Sequence, residues 1–136
     1  MKMTKILFTL SAGMILFFAS CSKDKKEDQL TADLSRDWEV VKYEVNGFDE
    51  TSTFDALYPN YRIDFSSDGT YTEYYLVYGI TVPVDGNWEF QNDLADIQLV
   101  DPNRTRLYHI VELKSDELTV EDSYTAEDDV FYLEPK

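Results

Sequence analysis

The sequence predicts an all-β domain in which eight antiparallel strands form an up-and-down meander and close into a barrel. Apolar and polar residues alternate in several short runs, such as residues 61–65 and 88–90. This period of two is typical of strands with one buried face. Turn-forming pairs such as Asn46-Gly47 separate the runs at regular intervals. Since no segment has a long helical periodicity, we expect the strands to supply the core.

The position of each strand follows from these runs and turns. Residues 51–57 interrupt the rhythm and are expected to form a helical turn before Pro59. Eight strands joined by hairpins close most economically into a barrel, because closure removes the exposed strand edges. The strands are expected at residues 37–45, 61–66, 70–78, 86–91, 96–100, 105–113, 117–122 and 129–135.

Hairpin register is predicted by keeping one face of each strand pair apolar. With Asp68-Gly69 as a two-residue loop, Ile63 faces Tyr74. A slip by one residue would bring Glu73 beside Ile63, so it is disfavoured. The predicted register places two tyrosines on the outer face, Tyr71 and Tyr75. The facing pairs predicted for two further hairpins are Trp88–Leu99, Phe90–Ile97, Leu113–Leu118 and Val111–Val120.

The first 20 residues are predicted to be a secretory signal peptide. Lys2 and Lys5 precede an almost wholly apolar run over residues 6–18, which is shorter than the roughly 20 residues needed to span a bilayer. Small residues then lead into Cys21, the one cysteine of the chain. Cys21 therefore has no partner for an intramolecular disulfide.

The rest of the chain divides into a charged segment and one domain. Residues 22–28 contain no apolar residue, and together with Cys21 they are expected to form a lipidated, flexible tether over residues 21–28. Residues 29–136 are long enough for one domain with its own core. The chain has 27 acidic and 12 basic residues, a formal net charge of −15. Such a surface repels nucleic acid, so no nucleic-acid partner is expected.

Residues with catalytic or metal-binding chemistry are sparse. In the predicted register His109, the one histidine, points inward and faces Asp122, although a bulge in its strand would turn it outward. A buried His–Asp pair can act as a general base, but no nucleophile context accompanies it. One histidine and one cysteine exclude the usual zinc patterns, and the acidic residues 127–129 lack calcium-loop spacing. We expect no enzymatic activity, no cofactor and no metal site.

The segment F-A-S-C that ends at Cys21 resembles the lipobox of bacterial lipoproteins. The resemblance implies that the Cys21 thiol carries a diacylglycerol, that cleavage occurs before Cys21, and that fatty acids such as palmitate anchor the protein. Ser22 follows the cysteine, where aspartate would imply retention in the inner membrane. By resemblance to Gram-negative lipoproteins, the protein is expected in the outer membrane, facing the periplasm or the cell surface.

Several short patterns recur in order along the domain: Leu34 with Trp38, Ile63-Asp-Phe65 before Asp68-Gly69, Gly86-Asn-Trp88, and Ile110 to Leu113 before Leu118. In order and spacing they resemble the lipocalin-like domains found on bacterial lipoproteins, over residues 34–134. The resemblance implies a barrel that holds one small, usually apolar ligand. The residues that share the inner face of the second to fourth predicted strands are expected to line its site: Tyr61, Phe65, Tyr74, Leu76 and Trp88.

A second interpretation stays open at this point. The aromatic residues can instead fill the barrel, leaving a solid cell-envelope interaction or accessory protein with a protein partner and no ligand. The volume of the barrel interior separates the two interpretations, because ligand sites enclose several hundred Å³.

Overall fold

The computed structural model describes residues 17–136, with side chains from residue 22 onward. Most of the predicted signal peptide, up to residue 16, lies outside the described residues, as does the side chain of Cys21. The elements follow in the order α1 (Phe17–Leu34), β1 (Asp37–Val45), β2 (Phe48–Asp49), α2 (Thr51–Leu57), β3 (Arg62–Phe65), β4 (Thr70–Val77), β5 (Ile80–Gln91), β6 (Asp96–Val100), β7 (Thr105–Lys114), β8 (Glu117–Asp122) and β9 (Asp129–Pro135).

Eight of these strands form a closed antiparallel barrel, which confirms the predicted fold class. Each strand from β3 to β9 pairs with the next, and β1 pairs with both β3 and β9, so the ladder closes on itself. The two-residue strand β2 returns along the end of β1 through the predicted turn at Asn46-Gly47. Both turn residues have positive φ, as a two-residue hairpin with this sequence requires. The whole barrel therefore lies within residues 17–136.

The hydrophobic core fills one end of the barrel, where β1 begins and β3 ends. Trp38 at the start of β1 is fully buried, and its indole nitrogen donates a hydrogen bond of 2.9 Å to the backbone oxygen of Leu34. Leu34 is the last residue of α1 and is also fully buried. We call this the closed end. At the opposite, open end lie α2, the loop before β7 and the loop before β9.

The predicted register of the β3–β4 hairpin is wrong by one residue. Ile63 pairs with Glu73 instead of Tyr74, because the loop spans residues 67–69 and not two residues. Gly69 has a φ of 86°, the left-handed conformation that a three-residue hairpin needs at this position. Glu73 therefore faces the barrel interior, the arrangement that the sequence pattern had disfavoured.

The shifted register exchanges the two faces of β4. Tyr71 and Tyr75, predicted outside, point into the barrel, and Tyr71 is almost fully buried. Tyr74 and Leu76, predicted inside, lie on the outer face, where the Arg62 guanidinium stacks 3.5 Å from the centre of the Tyr74 ring. The register that turns Glu73 into the barrel therefore also turns Tyr71 and Tyr75 inward, although both were predicted to lie on the outer face.

The other hairpins keep their predicted pairs except at one bulge. Between Ile110 and Glu112 the register of β7 shifts, so Ile110 faces Val120 in place of Val111. The extra residue at a bulge turns the preceding side chains to the opposite face. The pairs found as predicted are Trp88–Leu99, Phe90–Ile97 and Leu113–Leu118.

Residues 22–28 are helical in the structure and not the flexible segment that was expected. They form the middle of α1, in which Lys, Glu and Gln are good helix formers. Within the helix the Gln29 side chain donates to Asp33 one turn later. Lys23 pairs with Asp93 of the β5–β6 loop at 2.9 Å, and the helix packs against β7. A segment whose composition alone indicates disorder is therefore helical in the structure.

β5 begins six residues earlier than expected, and its first part projects from the barrel with β4. Residues 80–86 pair only with β4, because pairing with β6 starts at Asn87. The tip of this hairpin is the two-residue turn Tyr78-Gly79, with positive φ at both positions. The Tyr78 side chain is completely exposed.

Candidate functional site

A cavity of about 550 Å³ occupies the barrel interior between the core and the open end. Its wall contains apolar side chains from β1, β3, β6, β8 and β9. Because strand side chains alternate between faces, β3, β6, β8 and β9 each contribute every second residue to the wall, whereas the irregularity between Val40 and Lys42 breaks this alternation in β1. The apolar residues of the wall are Val40, Ile63, Phe65, Ile97, Leu99, Leu118, Val120 and Leu133.

Aromatic side chains surround the open end of the cavity. Phe54 of α2 reaches into the barrel and is buried. Its ring centroid lies 5.3 Å from that of Tyr43, 5.9 Å from that of Phe131 and 5.7 Å from that of Tyr61. The short helix α2 therefore covers part of the opening with an aromatic plug. Leu57, the last residue of the helix, and Tyr58, its C-cap residue, also line the cavity and are exposed to solvent.

One wall of the cavity carries a buried ionic cluster, the Glu73 cluster, made of Glu73, Asp101, Arg104 and Arg106. Glu73 is fully buried, and Arg106 donates two hydrogen bonds of 2.7 Å to its two carboxylate oxygens. The Tyr61 hydroxyl donates a third bond of 2.6 Å to Glu73. Such a two-pronged Arg–carboxylate pair is the strongest form of ionic hydrogen bond in proteins.

Arg104 joins this cluster to the cavity mouth. Its guanidinium lies 3.3 Å from Glu73 and 3.2 Å from Asp101, and it donates a bond of 2.7 Å to the Tyr75 hydroxyl. Asp101 also lies 3.6 Å from Arg106. Two arginines and two carboxylates thus neutralise one another, so the Glu73 cluster carries no net charge.

Two further carboxylates, the Asp122–Asp129 pair, line the cavity where β8 ends and β9 begins. Asp129 is 9% exposed, and its Oδ1 atom is buried without a hydrogen-bond partner. Burial raises the pKa of Asp129, and the negative charge of Asp122 raises it further, although a hydrogen bond from Tyr43 acts in the opposite direction. Asp129 is thus a carboxylate whose ionised form the fold leaves poorly stabilised.

The tyrosines of the cavity stay protonated over the physiological range. Burial raises the pKa of Tyr75 to about 12, with the charge of Glu73 adding to the effect. Burial and the charge of Asp129 likewise raise the pKa of Tyr43 to about 12. These hydroxyls are therefore neutral hydrogen-bonding groups at pH 7, and the cavity presents an apolar body with a few polar anchor points.

The structure brings only part of the predicted lining set to the cavity. Tyr61 and Phe65 line it. Trp88 is buried in the core, where its indole nitrogen donates to the backbone oxygen of Ser66, and it is not among the lining residues. Tyr74 and Leu76 lie outside because of the shifted register of β4.

Sequence reasoning missed the polar part of the cavity. Glu73 was assigned to the outer face, and the partners Arg104 and Arg106 were not singled out. Side chains alternate along an extended chain, so Arg106 in β7 and Arg104, which immediately precedes this strand, lie on one face. Two arginines with this spacing, together with an inward-facing acid such as Glu73 on another strand, indicate a buried ionic cluster.

His109 lies outside the cavity lining. It pairs across the strands with Glu121 and not with Asp122, which is the outward orientation expected for a bulged strand. Its Nδ1 atom lies 2.8 Å from Asp96. Within the described residues, no group of three or more His, Cys, Asp or Glu side chains is arranged to hold a metal ion.

The chain was compared with known protein families. The model of a family described as a lipocalin-like domain matches residues 34–120. The match begins at the buried end of α1, covers six of the eight barrel strands in full and ends within the seventh, β8. No curated protein matches the chain at a significant level.

Proposed function

The chain belongs to the family of lipocalin-like domains, and from this premise we propose that its barrel binds a small, largely apolar ligand without catalysing a reaction. The cavity is the observation that carries the proposal. Its volume of about 550 Å³ falls within the range of 300–1,000 Å³ typical of small-molecule sites. An eight-stranded barrel has room for one such ligand when its interior is not filled by side chains.

The absence of a catalytic role is part of the proposal and has two supports. Lipocalin-like domains are in general non-enzymatic binding proteins. The histidine and its partner Asp96 lie away from the cavity, so the His–Asp pair does not face a bound ligand.

The alternative is an accessory protein of the cell envelope with a solid barrel. The open cavity favours ligand binding over this alternative, because a barrel packed with its own side chains leaves no volume of this size. A barrel that holds a ligand can also bind a partner protein. The ligand-binding role and the accessory role therefore differ in whether a ligand or the protein's own side chains occupy the interior.

We further propose that the protein is an outer-membrane lipoprotein anchored through Cys21. The support is the F-A-S-C segment after a short apolar run and the lack of any other cysteine. Within residues 17–136 no helix is long and apolar enough to cross a bilayer. Metabolic labelling with a fatty-acid analogue tests the anchor: wild type takes up label and Cys21→Ser does not. Equal label on both proteins contradicts it.

Ligand binding is tested with residues 17–136 carrying Cys21→Ser, titrated with an apolar fluorescent probe. We expect saturable binding of one probe per barrel. Tyr75→Ala removes a ring that lines the cavity and should change the probe affinity, whereas Tyr74→Ala removes the neighbouring ring from the outer face and should not. A folded protein that binds no probe contradicts the proposal, as does an equal effect of both substitutions.

A further inference from the structure

We propose that the ligand of this cavity is an amphipathic organic cation, whose ammonium group lies at the Asp122–Asp129 pair and whose apolar body lies against the barrel wall. This inference rests on the proposed function of the same cavity and adds the chemical class of the ligand. It follows from the charges that line the cavity, from the burial of Asp129 and from the aromatic rings beside it.

The side chains that line the cavity carry more negative than positive charges. Arg104 and Arg106 are both engaged by Glu73 and Asp101 within the Glu73 cluster. Among the described residues, no Lys, Arg or His side chain forms an ion pair with Asp122 or Asp129. Glu73, the third carboxylate that lines the cavity, has its counter-ions within the protein, whereas a ligand would have to supply the counter-ion of the Asp122–Asp129 pair.

Because Asp129 is buried, the lack of a counter-ion raises the free energy of its ionised form. A buried carboxylate without a charged partner is costly, because water that would solvate it has been removed. Asp129 is 9% exposed and its Oδ1 atom has no hydrogen-bond donor. An ammonium N–H group directed at Oδ1 would satisfy the acceptor and neutralise the charge in one contact.

Aromatic rings lie beside the two carboxylates. Tyr43 and Asp129 line the same cavity, and the Tyr43 ring centroid lies 4.8 Å from that of Phe131. Tyr108 faces Asp122 across β7 and β8, and its ring centroid lies 6.1 Å from that of Phe131. The faces of aromatic rings attract cations, most strongly where water is excluded. Carboxylates and aromatic faces together form the environment that favours an organic ammonium group.

An anionic ligand fits the same cavity less well. Its natural partner would be Arg104, but that guanidinium already contacts Glu73, Asp101 and Tyr75. An anion would also lie in a cavity that contains two uncompensated carboxylates. The observed charges therefore favour a cation over a fatty acid or other anionic amphiphile.

Isothermal titration calorimetry with three matched probes tests the inference. The protein is residues 17–136 with Cys21→Ser, and the probes are decylamine, decanol and decanoate at pH 7, each below its micelle concentration. They share one apolar tail and differ in the charge of the head group. We expect decylamine to bind at least about tenfold more tightly than decanol, since a hydrogen bond to a charged group is worth about one such factor. Decanoate is expected to bind most weakly.

Substitution of a single carboxylate separates the site from the overall charge of the protein. The net charge of −15 attracts any cation, but Asp129→Asn and Asp128→Asn each remove one negative charge from neighbouring positions. Asp128 is exposed. We expect Asp129→Asn to weaken decylamine binding about tenfold without changing decanol binding, and Asp128→Asn to change neither. Asp122→Asn provides a second variant at the site.

Each remaining outcome overturns the inference in a recognisable way. If decanol binds and decylamine binds no more tightly, the cavity takes apolar ligands without selecting a cation. If Asp129→Asn and Asp128→Asn have equal effects, the preference comes from the overall charge. Tightest binding of decanoate would assign the head group to Arg104. If none of the three probes binds, the proposed function fails together with this inference.

Discussion

The ion pair between Arg106 and Glu73 is expected to make Arg106→Met strongly destabilising. Arg106 donates two bonds of 2.7 Å to a fully buried carboxylate. Hydrogen bonds to charged groups contribute about 1.5–3 kcal/mol each, and removing one partner of a buried ion pair costs about 3–5 kcal/mol. Tyr61 and Arg104 still contact Glu73 in the variant. We therefore expect a loss of about 3–5 kcal/mol in the free energy of unfolding and no larger effect.

The loss should depend on pH through Glu73. Burial alone raises the pKa of Glu73, but the hydrogen bonds and the charge of Arg106 outweigh burial and hold this pKa below its usual value. A lowered pKa stabilises the fold above the unfolded value of about 4.3, and the contribution is lost as the pH falls through the folded pKa. Without Arg106 the balance moves toward the burial effect. The destabilisation should therefore be largest at pH 7 and smaller in acid, where Glu73 takes up a proton.

Urea denaturation at pH 7 and at about pH 4 measures both effects. Glu73→Met combined with Arg106→Met should cost less than the sum of the two single losses, because no unpaired charge stays buried. Arg62→Met is the control, since Arg62 pairs with Asp37 on the outer face, and it should cost about 1–2 kcal/mol. A loss for Arg106→Met no larger than that of Arg62→Met, or strict additivity in the double variant, would refute this reasoning.

Three further predictions concern the core and the cavity. Trp88→Ala should cost about 3–5 kcal/mol in urea denaturation, whereas Tyr78→Ala should leave stability unchanged because its ring is fully exposed; similar losses at both sites would contradict the packing. Gly86→Ala should lower the melting temperature through a loss of about 1–3 kcal/mol, because its new Cβ would lie 2.6 Å from the Tyr71 ring, and an unchanged melting temperature would argue against that close contact. Asp129→Asn should raise the melting temperature at pH 7. A raised folded pKa costs stability at higher pH, and the gain should vanish near the unfolded pKa of about 3.9; an earlier melt at pH 7 would contradict it.

Local patterns predicted most of the barrel because its strands are short and one face of each is apolar. The β5–β6 hairpin shows why this worked: Trp88 and Phe90 on one strand face Leu99 and Ile97 on the other. A register shift by one residue would turn the two apolar side chains of one strand to the solvent and leave those of the other strand without their partners. Where apolar residues alone decide the pairing, the sequence is sufficient to predict it.

The β3–β4 hairpin was mispredicted because its local sequence is compatible with two loop lengths. Asp-Gly fits a two-residue loop and also the end of a three-residue loop, in which only the glycine needs positive φ. The choice between them depends on whether Glu73 can be buried. That depends in turn on Arg106, which lies 33 residues away in β7. No pattern within the hairpin reveals a partner on another strand.

The same limit applies to the cavity and to α1. Alternation indicates which residues point inward, but not whether their side chains fill the interior or leave space for a ligand. Residues 22–28 have the composition of a disordered segment, yet they form the middle of α1, whose last residue Leu34 is fully buried against the barrel. In both cases the outcome depends on packing between distant segments.

The closure of one end of the barrel has a consequence for exchange kinetics. Leu34 and Trp38 fill the closed end, so a ligand enters and leaves the described barrel past α2 at the other end. This helix has only seven residues, and the side chain of its N-cap residue Glu50 accepts no hydrogen bond from a backbone N–H of the first turn. It is held mainly by Phe54 and by Thr51, whose hydroxyl bonds to Asp49 and to the amide of Tyr43. We expect displacement of α2 to speed both entry and release, so the strength of its attachment should set the residence time of a ligand.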